Sequence, residues 1–517
     1  TIKNPILFYA AVELVIGIFA LFFHQIFITS QGFLFNQVLP LIDSSETSSI
    51  VRWVWASLLI LPQSILLGTT FPLMSSGIVR LFPKQTGSIL SMLYFTNSIG
   101  AAIGALVTGF VLIDWVGLPG TILTAGLLNI FLAIFVWSIA RNNALSVEIK
   151  SDEHTTSSTI RLAFPSFLLA AAFLTGLASF FYEIGWIRML NMVLGTTTQS
   201  FELMISAFIT GLAFGGLWVK RYIDKVPNVL QFAGYVQIIM GLLALSTLFM
   251  YNSTFDFMQF LLQALQRNEA AYTLFLSSSH LIAFFIMVPT TFMAGMTLPL
   301  FTYSYMKAGF GESGIGRIYA ANTLGSIVGV FFAVHYIMPI LGLKNLISLG
   351  SLVDIILGLT LIYLANQQKF TFKFKVTIAA SLALLLVTNI LTEFDQGKMA
   401  SGVYRLGNLG VKQEEILYYK DGKTSTVVVK KKHDTEKNLD HVAIITNGKP
   451  DAAVYFSDEL VTNDEYTMVL LAALPLSVHP QAKNAAVIGF GSGISSNELL
   501  KTDRLDTLDT IEIEAAM

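Results

Sequence analysis

Long apolar segments recur through the first 392 residues, separated by short polar stretches. A bilayer core about 30 Å thick needs about 20 apolar residues in a helix to cross it, and eleven segments meet that length. The predicted helices span residues 5–23, 52–78, 89–113, 118–140, 163–182, 199–219, 230–251, 275–303, 316–340, 345–365 and 376–392. This pattern predicts a multi-pass α-helical membrane bundle.

The membrane region contains an internal repeat. Residues 68–73 (GTTFPL) match residues 295–300 (GMTLPL) at an offset of 227. Offsets of 225 and 224 pair Tyr94, Asn97, Gly100, Gly104 and Gly117 with Tyr319, Asn322, Gly325, Gly329 and Gly342, and Gly17 and Ala20 with Gly241 and Ala244. The second copy contains six helices and the first shows only the last four, so we expect about two helices to precede the first copy. An even number of helices makes the copies parallel, as in the two halves of major-facilitator transporters.

Charge divides the chain into two parts. Residues 1–392 hold 18 Lys and Arg and 14 Asp and Glu, whereas residues 393–517 hold 13 and 19 and so carry a net charge of −6. The second part has the charge density of a soluble domain, and its acidic balance argues against a nucleic-acid partner. The chain has no cysteine, which excludes disulfides and thiolate metal sites, and its seven histidines are scattered. We therefore predict no metal site.

The basic residues predict the orientation of the bundle. Fourteen of the 18 basic residues in the membrane region lie in alternate gaps between helices, and the other gaps hold only Arg52, Arg188, Arg267 and Lys344. The positive-inside rule then places the N-terminus in the cytoplasm, with the protein in the cell (inner) membrane. Eleven crossings from a cytoplasmic N-terminus place the soluble part outside the cytoplasm, unless the short segment 376–392 does not span the membrane. The side of the soluble part stays open.

Four polar side chains within the predicted helices are candidates for function. Carboxylates are costly in a bilayer, so Glu183 and Glu202 could belong to a proton or cation path. Arg188, five residues after Glu183, could instead neutralise it as an ion pair. Asn97 and Asn322 lie about one turn before repeated glycines, where an amide could contact a substrate or, more simply, bind a neighbouring helix.

The soluble part predicts a small sheet followed by a strand–loop–helix–strand unit. Asp-Gly and Asn-Gly turns between β-rich runs predict an antiparallel sheet at 415–447. The elements that follow are, in order, a helix at 464–478, a buried strand at 484–488, a glycine run at 489–493, a helix to residue 500 and a strand at 510–514. This order predicts the start of a Rossmann-like nucleoside-binding domain.

The glycine run and the second strand predict a nucleoside site. Glycines allow the backbone to turn sharply and to approach a ligand closely, and the run contributes Gly489, Gly491, Ser492 and Gly493. Glu512, near the end of the second strand, can accept hydrogen bonds from both ribose hydroxyls. The rest of the dinucleotide fingerprint is missing, so NAD is not favoured over an S-adenosylmethionine-type ligand.

The run from Thr446 to Met517 resembles spermidine synthases, and more closely the membrane-bound spermidine-synthase-like proteins in which a multi-helix membrane region is fused to such a domain. The matching motifs are NGKPD at 447–451, ALPL at 473–476, HP at 479–480, VIGFGSG at 487–493 and IEIE at 511–514. The resemblance implies a small β domain before a Rossmann-like domain. It also implies transfer of an aminopropyl group from decarboxylated S-adenosylmethionine to an amine, with release of methylthioadenosine.

The resemblance implies roles for individual residues. Asn447, Asp451 and Tyr466 would contact the amine substrate, and the glycine loop and Glu512 would hold the adenosyl co-substrate. No cofactor would be tightly bound, because decarboxylated S-adenosylmethionine or S-adenosylmethionine would act as co-substrate. The family's catalytic aspartate follows a later strand. We therefore expect it beyond Met517, in a parent protein of which this sequence is a fragment cut at both ends.

Three functions remain open. The first is an aminopropyltransferase-like membrane enzyme, the second a transporter with a nucleoside- or polyamine-binding regulatory domain, and the third a methyltransferase-like enzyme acting on a lipid or amphiphile. Each has the lipid bilayer and a small-molecule amine or nucleoside as partners, and the oligomeric state is open. The predicted domains are a first membrane repeat (1–140), a cytoplasmic linker (141–162), a second membrane repeat (163–365), an extra helix with linker (366–392), a small β domain (393–455) and the start of the Rossmann-like domain (456–517).

Overall fold

Eleven long helices form the membrane region in a computed structural model, which describes residues 2–142, 163–266, 268–410, 414–457 and 460–517. They are α1 (Pro5–Phe33), α2 (Ser45–Leu81), α3 (Thr86–Val107), α4 (Ile113–Asn142), α5 (Ala163–Leu194), α6 (Thr198–Val219), α7 (Val229–Ala264), α8 (Glu269–Tyr305), α9 (Ser313–Phe332), α10 (Met338–Ala365) and α11 (Phe372–Leu391). The predicted multi-pass helical bundle is confirmed. The predicted linker lies, beyond Asn142, outside the described residues.

Several helices are longer than the apolar segments that predict them. α1 continues to Phe33 and α7 to Ala264, because a helix can leave the hydrocarbon layer without ending. π-helical turns at residues 108–112 and 333–337 join α3 to α4 and α9 to α10. The described residues therefore contain nine continuous helical stretches long and apolar enough to cross a membrane.

The internal repeat is visible in the backbone. The π-helical turns at 108–112 and 333–337 are related by 225 residues, and so are the glycines that kink the following helices, Gly117 (φ 66°) and Gly342 (φ 80°). Helix contacts repeat as well, since Gly17 brings α1 against α4 and Gly241 brings α7 against α10. The two copies thus share local geometry as well as sequence.

One face of the first copy lacks the contacts that its counterpart makes. In the second copy α5 packs on α9 and α6 packs on α8, and Gly325 lies so close to the Phe173 carbonyl that no Cβ would fit. Its counterpart Gly100 has no atom of the described residues within 4 Å of a Cβ position, and Gly68 and Gly104 are equally open. Among the described residues, no helix covers these three glycines.

This difference predicts opposite effects of the same substitution in the two copies. Gly325→Ala should destabilise the protein by about 1–3 kcal/mol, because the new methyl group meets backbone that cannot move aside. Gly100→Ala should have no such cost, since alanine favours a helix over glycine by about 1 kcal/mol. Thermal unfolding of the two variants in detergent, each compared with the wild type, tests both expectations. Equal losses would contradict the contact assigned to Gly325.

The loops that carry most of the basic residues meet at one end of the bundle. Arg80 of α2 forms an ion pair of 2.7 Å with Glu312, just before α9. Asp224, between α6 and α7, accepts hydrogen bonds from the Gly87 and Ser88 amides in the first turn of α3 (3.1 and 2.9 Å). A carboxylate there satisfies free amides and stabilises the positive end of the helix dipole. These contacts hold the two copies together at this end.

The soluble part contains both predicted units. A four-stranded antiparallel sheet follows the order of the chain, with β1 (Glu414–Asp421), β2 (Thr426–Asp434), β3 (Leu439–Thr446) and β4 (Lys449–Tyr455). The second unit consists of α14 (Asn463–Val478), β5 (Asn484–Ile488), α15 (Ile494–Leu500) and β6 (Thr507–Ile511), in which β5 and β6 are parallel. The bounds predicted for the second strand, 510–514, are wrong: β6 spans Thr507–Ile511, and its pairing ends at Ile511 opposite Ile488, just before the glycine loop. Glu512 and Glu514 therefore follow β6.

The soluble part rests on the end of the bundle opposite to the basic loops. Two short helices, α12 (Gln396–Met399) and α13 (Val403–Leu406), lead from α11 towards β1. Lys398 of α12 forms an ion pair of 2.6 Å with Asp256, near the end of α7. The long α7 thus supports the soluble part.

Candidate functional site

A glycine loop lies at the carboxyl end of β5. Gly489, Gly491 and Gly493 all have positive φ (92°, 55° and 76°), which strains other residues. No atom of the described residues lies within 4 Å of the place where a Cβ would stand on the first two. The Ser492 hydroxyl instead donates to the Met468 sulfur of α14 (2.9 Å). The loop exposes backbone at the carboxyl edge of a parallel sheet, which is where such folds bind nucleosides.

The Glu512 carboxylate lies beside this loop. Its two oxygens accept hydrogen bonds from the Glu514 amide (2.9 Å) and from the Phe490 amide of the loop (2.7 Å). These two amides hold the pKa of Glu512 below its ordinary value, so the group is ionised at neutral pH. A carboxylate offers about four acceptor positions, so Glu512 keeps capacity to accept a hydrogen bond from a diol.

Glu514 connects this edge to the β1–β2 turn, residues 422–425. Its side chain is 3% exposed and accepts hydrogen bonds from the Thr424 amide and hydroxyl (both 2.7 Å), the Ser425 amide (3.1 Å) and the Ala516 amide (3.0 Å). Burial alone would raise the pKa of Glu514, but these bonds outweigh it and lower the pKa. A buried carboxylate thus holds the turn beside the end of β6.

Two helices of the bundle hold the other side of the same turn. The Arg188 guanidinium of α5, 8% exposed, donates to three consecutive carbonyls, those of Gly422 (2.7 Å), Lys423 (2.7 Å) and Thr424 (2.6 Å). Asp421, next to the turn, accepts a hydrogen bond from the Leu343 amide (3.1 Å), directly after the kink in α10. Hydrogen bonds therefore run from the glycine loop through Glu512, Glu514 and the turn to the bundle.

The ion pair expected between Arg188 and Glu183 is not formed. The side chains of residues five apart on a helix point in directions about 140° apart. Arg188 points towards the soluble part. Glu183 is half-buried in α5, and its side chain makes no hydrogen bond or ion pair with any described residue.

The three residues predicted to contact an amine lie in different places. Asn447 in the β3–β4 turn (φ 49°) accepts a hydrogen bond from the Thr426 amide (2.9 Å), which is a structural contact. Asp451 of β4 is exposed and forms an ion pair with Lys449 (3.8 Å). Loss of water around the carboxylate raises the pKa of Asp451, Lys449 opposes the shift, and the charge of Glu512 adds to it. Tyr466 of α14 is 60% exposed, and its hydroxyl bonds to none of the described residues.

The remaining polar candidates lie within the membrane. Buried Glu202 of α6 contacts Gly109 in the π-helical turn at 108–112, and one of its oxygens has no hydrogen-bond partner in the described part of the chain. Asn322 donates to the Ala172 carbonyl of α5 (3.1 Å), as expected for helix packing. Asn97, its counterpart, is exposed.

Sequence reasoning missed a fully buried carboxyl in the second copy. Asp354 of α10 is 0% exposed and accepts a hydrogen bond of 2.6 Å from the Tyr182 hydroxyl of α5, while its other oxygen has no partner among the described residues. An acid in the middle of the apolar segment 345–365 carries the same signal that selected Glu183. The pair joins α5 to α10 inside the second copy.

A comparison with protein families agrees with the parallel repeat, whose two copies are joined by polar contacts at one end. A model described as Major Facilitator Superfamily matches residues 5–265, which contain α1 to α7. The chain belongs to the Major Facilitator Superfamily. As a member it is a transporter-like, multi-pass membrane protein. Comparisons with curated proteins and with solved structures find no match. The superfamily match excludes the soluble part, whose resemblance to spermidine synthases stays a prediction.

Proposed function

We propose that this Major Facilitator protein is a transporter whose soluble part binds an adenosyl ligand and thereby regulates the bundle. The observation that carries the proposal is the hydrogen-bonded path from the glycine loop to Arg188. A domain attached only by a flexible linker would have no such path.

The ligand side of the proposal rests on the loop and on Glu512. The open positions at Gly489 and Gly491 leave room for a ligand to approach the backbone. A ribose diol would donate to the Glu512 carboxylate, which the Phe490 and Glu514 amides already orient. We propose an S-adenosylmethionine-type molecule, bound reversibly as ligand and not as a resident cofactor.

The regulatory side rests on the connection between Glu512 and Glu514. The Glu514 amide donates to the Glu512 carboxylate, so a ligand that moves this carboxylate also displaces Glu514. The Glu514 side chain in turn holds the β1–β2 turn. Arg188 and Asp421 bind that turn to α5 and α10. A ligand that favours one position of the turn therefore favours one arrangement of these helices, which is the energetic requirement for regulation.

Calorimetric titration of the full chain in detergent tests the ligand site. S-adenosylmethionine and methylthioadenosine should bind, and Glu512→Gln should weaken them about tenfold or more, because a hydrogen bond to a charged group contributes about 1.5–3 kcal/mol. Glu498→Gln is the matched control, since Glu498 of α15 pairs with Lys501 away from the loop. Equal affinities of the wild type and Glu512→Gln would contradict the site.

Aminopropyl transfer is a second candidate, favoured by the position of Asp451. The Asp451 carboxylate forms an ion pair with Lys449 (3.8 Å) and also feels the negative charge of Glu512, so a cationic substrate amine could take the place of the Lys449 ammonium. In the reaction an amine nitrogen would attack the aminopropyl carbon, methylthioadenosine would leave with the bond's electron pair, and the amine would lose a proton. Tighter binding of methylthioadenosine than of S-adenosylhomocysteine would support this reaction. The reverse order would favour methyl transfer.

A further inference from the structure

α11 crosses the full height of the bundle beside α10. Near the start of α11 the Phe374 ring stacks on Tyr363 near the end of α10, with centroids 6.1 Å apart. Near its end Asn389 accepts hydrogen bonds from Lys344 (2.7 Å) and Ser348 (2.8 Å), near the start of α10. The two helices are therefore antiparallel over their length. The 20 residues of α11 rise about 30 Å, the thickness of a bilayer core.

The end at which α11 begins is the basic end of the bundle. Its loops and helix ends include Arg80, Lys84, Lys220, Lys307, Lys369 and Lys373. Asn228, beside Lys225, donates to the Ala365 carbonyl (3.4 Å), and so joins the loop after α6 to the end of α10. At the opposite end Arg188 and Lys344 are bound to backbone carbonyls. Cytoplasmic loops carry the excess of basic residues, which makes the basic end cytoplasmic.

We infer that the soluble part, with its glycine loop, stands on the non-cytoplasmic face of the membrane. It contacts the bundle through Arg188, Leu343 and Asp256, which all lie at the end opposite to the basic loops. The alternative of a segment 376–392 that does not span disagrees with the pairing of α11 and α10.

This placement also says where the proposed ligand would be bound, which rests on the proposed function. The glycine loop would take a nucleoside-type molecule from outside the cytoplasm. The bundle would then respond to an external ligand through the turn held by Arg188.

The absence of cysteine allows a direct test by single cysteine substitutions in otherwise native protein. Thr435→Cys lies in the exposed β2–β3 turn, and Lys84→Cys lies in the exposed loop between α2 and α3 at the basic end. Intact cells expressing either variant are treated with a membrane-impermeant maleimide, with and without permeabilisation. An endogenous cytoplasmic thiol protein reports whether the cells are sealed.

We expect Thr435→Cys to be labelled in sealed cells and Lys84→Cys only after permeabilisation. Labelling of Lys84→Cys but not Thr435→Cys in sealed cells would overturn the inference, and so would equal labelling of both or of neither. The assay uses no ligand, so its result is independent of the Glu512→Gln titration. A non-cytoplasmic soluble part that binds no adenosyl compound would leave the sidedness standing and refute the proposed function.

Discussion

Replacing Arg188 by methionine should release the β1–β2 turn from the bundle. Methionine fills similar space without donors, so the three carbonyls of residues 422–424 lose their buried partner. The substitution also leaves the Asp421 and Glu514 carboxylates without the charge of Arg188, and removing one partner from a buried charge pair typically costs about 3–5 kcal/mol. The turn should then open locally, and the Thr424 and Ser425 amides should exchange hydrogen about 100-fold faster or more.

Hydrogen exchange measured by mass spectrometry over the β1–β2 hairpin checks this expectation. Arg405→Met is the matched control, because Arg405 lies on the same side of the membrane, is exposed, and has a side chain that makes no hydrogen bond with any described residue. It should leave exchange in the hairpin unchanged. If Arg188→Met exchanges at the wild-type rate, the contact between α5 and the turn does not hold the soluble part.

Local patterns predict much of this molecule. Apolar length is a property of each segment, so the sequence predicts the helices of the bundle although not their polar extensions. The glycine run at 489–493 and the strand before it are also local features, and the structure places Gly489, Gly491, Gly493 and Glu512 side by side. The repeat adds a longer-range signal because two parts of one chain can be compared.

The contacts that join the two parts of the molecule could not be predicted in this way. Arg188 and its carbonyl partners are more than 230 residues apart in the chain, and Thr424 and Glu514 are 90 apart. The carbonyls that bind Arg188 belong to the backbone, so no residue type reveals them. The sequence suggested Glu183 as the partner of Arg188 only because it is near in number. Asp354 was detectable by the intramembrane criterion, but its partner Tyr182 required the packing of α5 on α10.

Replacing Glu514 by glutamine should interrupt the path between the glycine loop and the bundle while leaving the loop intact. Glutamine has one acceptor oxygen and adds an NH2 group facing buried donors, so at least one partner in the turn is left unsatisfied, at a cost of about 1–3 kcal/mol. S-adenosylmethionine should still bind, because Glu512 is unchanged. Ligand should slow exchange at Thr424 and Ser425 in the wild type and in Glu498→Gln, but not in Glu514→Gln.

The pH dependence of stability distinguishes the contribution of the charge of Glu514 from that of the shape of its side chain. Folding lowers the pKa of Glu514 from its ordinary value of 4.5, so its carboxylate stabilises the folded state fully above about pH 4.5 and progressively less as the pH falls through the lower, folded pKa. The difference in Tm between the wild type and Glu514→Gln should be constant between about pH 5 and 8 and shrink as the pH falls below about 4.5, because the unfolded chain then takes up a proton at Glu514 that the folded protein does not yet bind. Glu498→Gln, scanned in parallel, should show a much smaller difference throughout, because its ion pair with Lys501 is at the surface. A Glu514→Gln difference that persists undiminished at pH 3 would mean that the turn depends on the shape of this side chain and not on its charge.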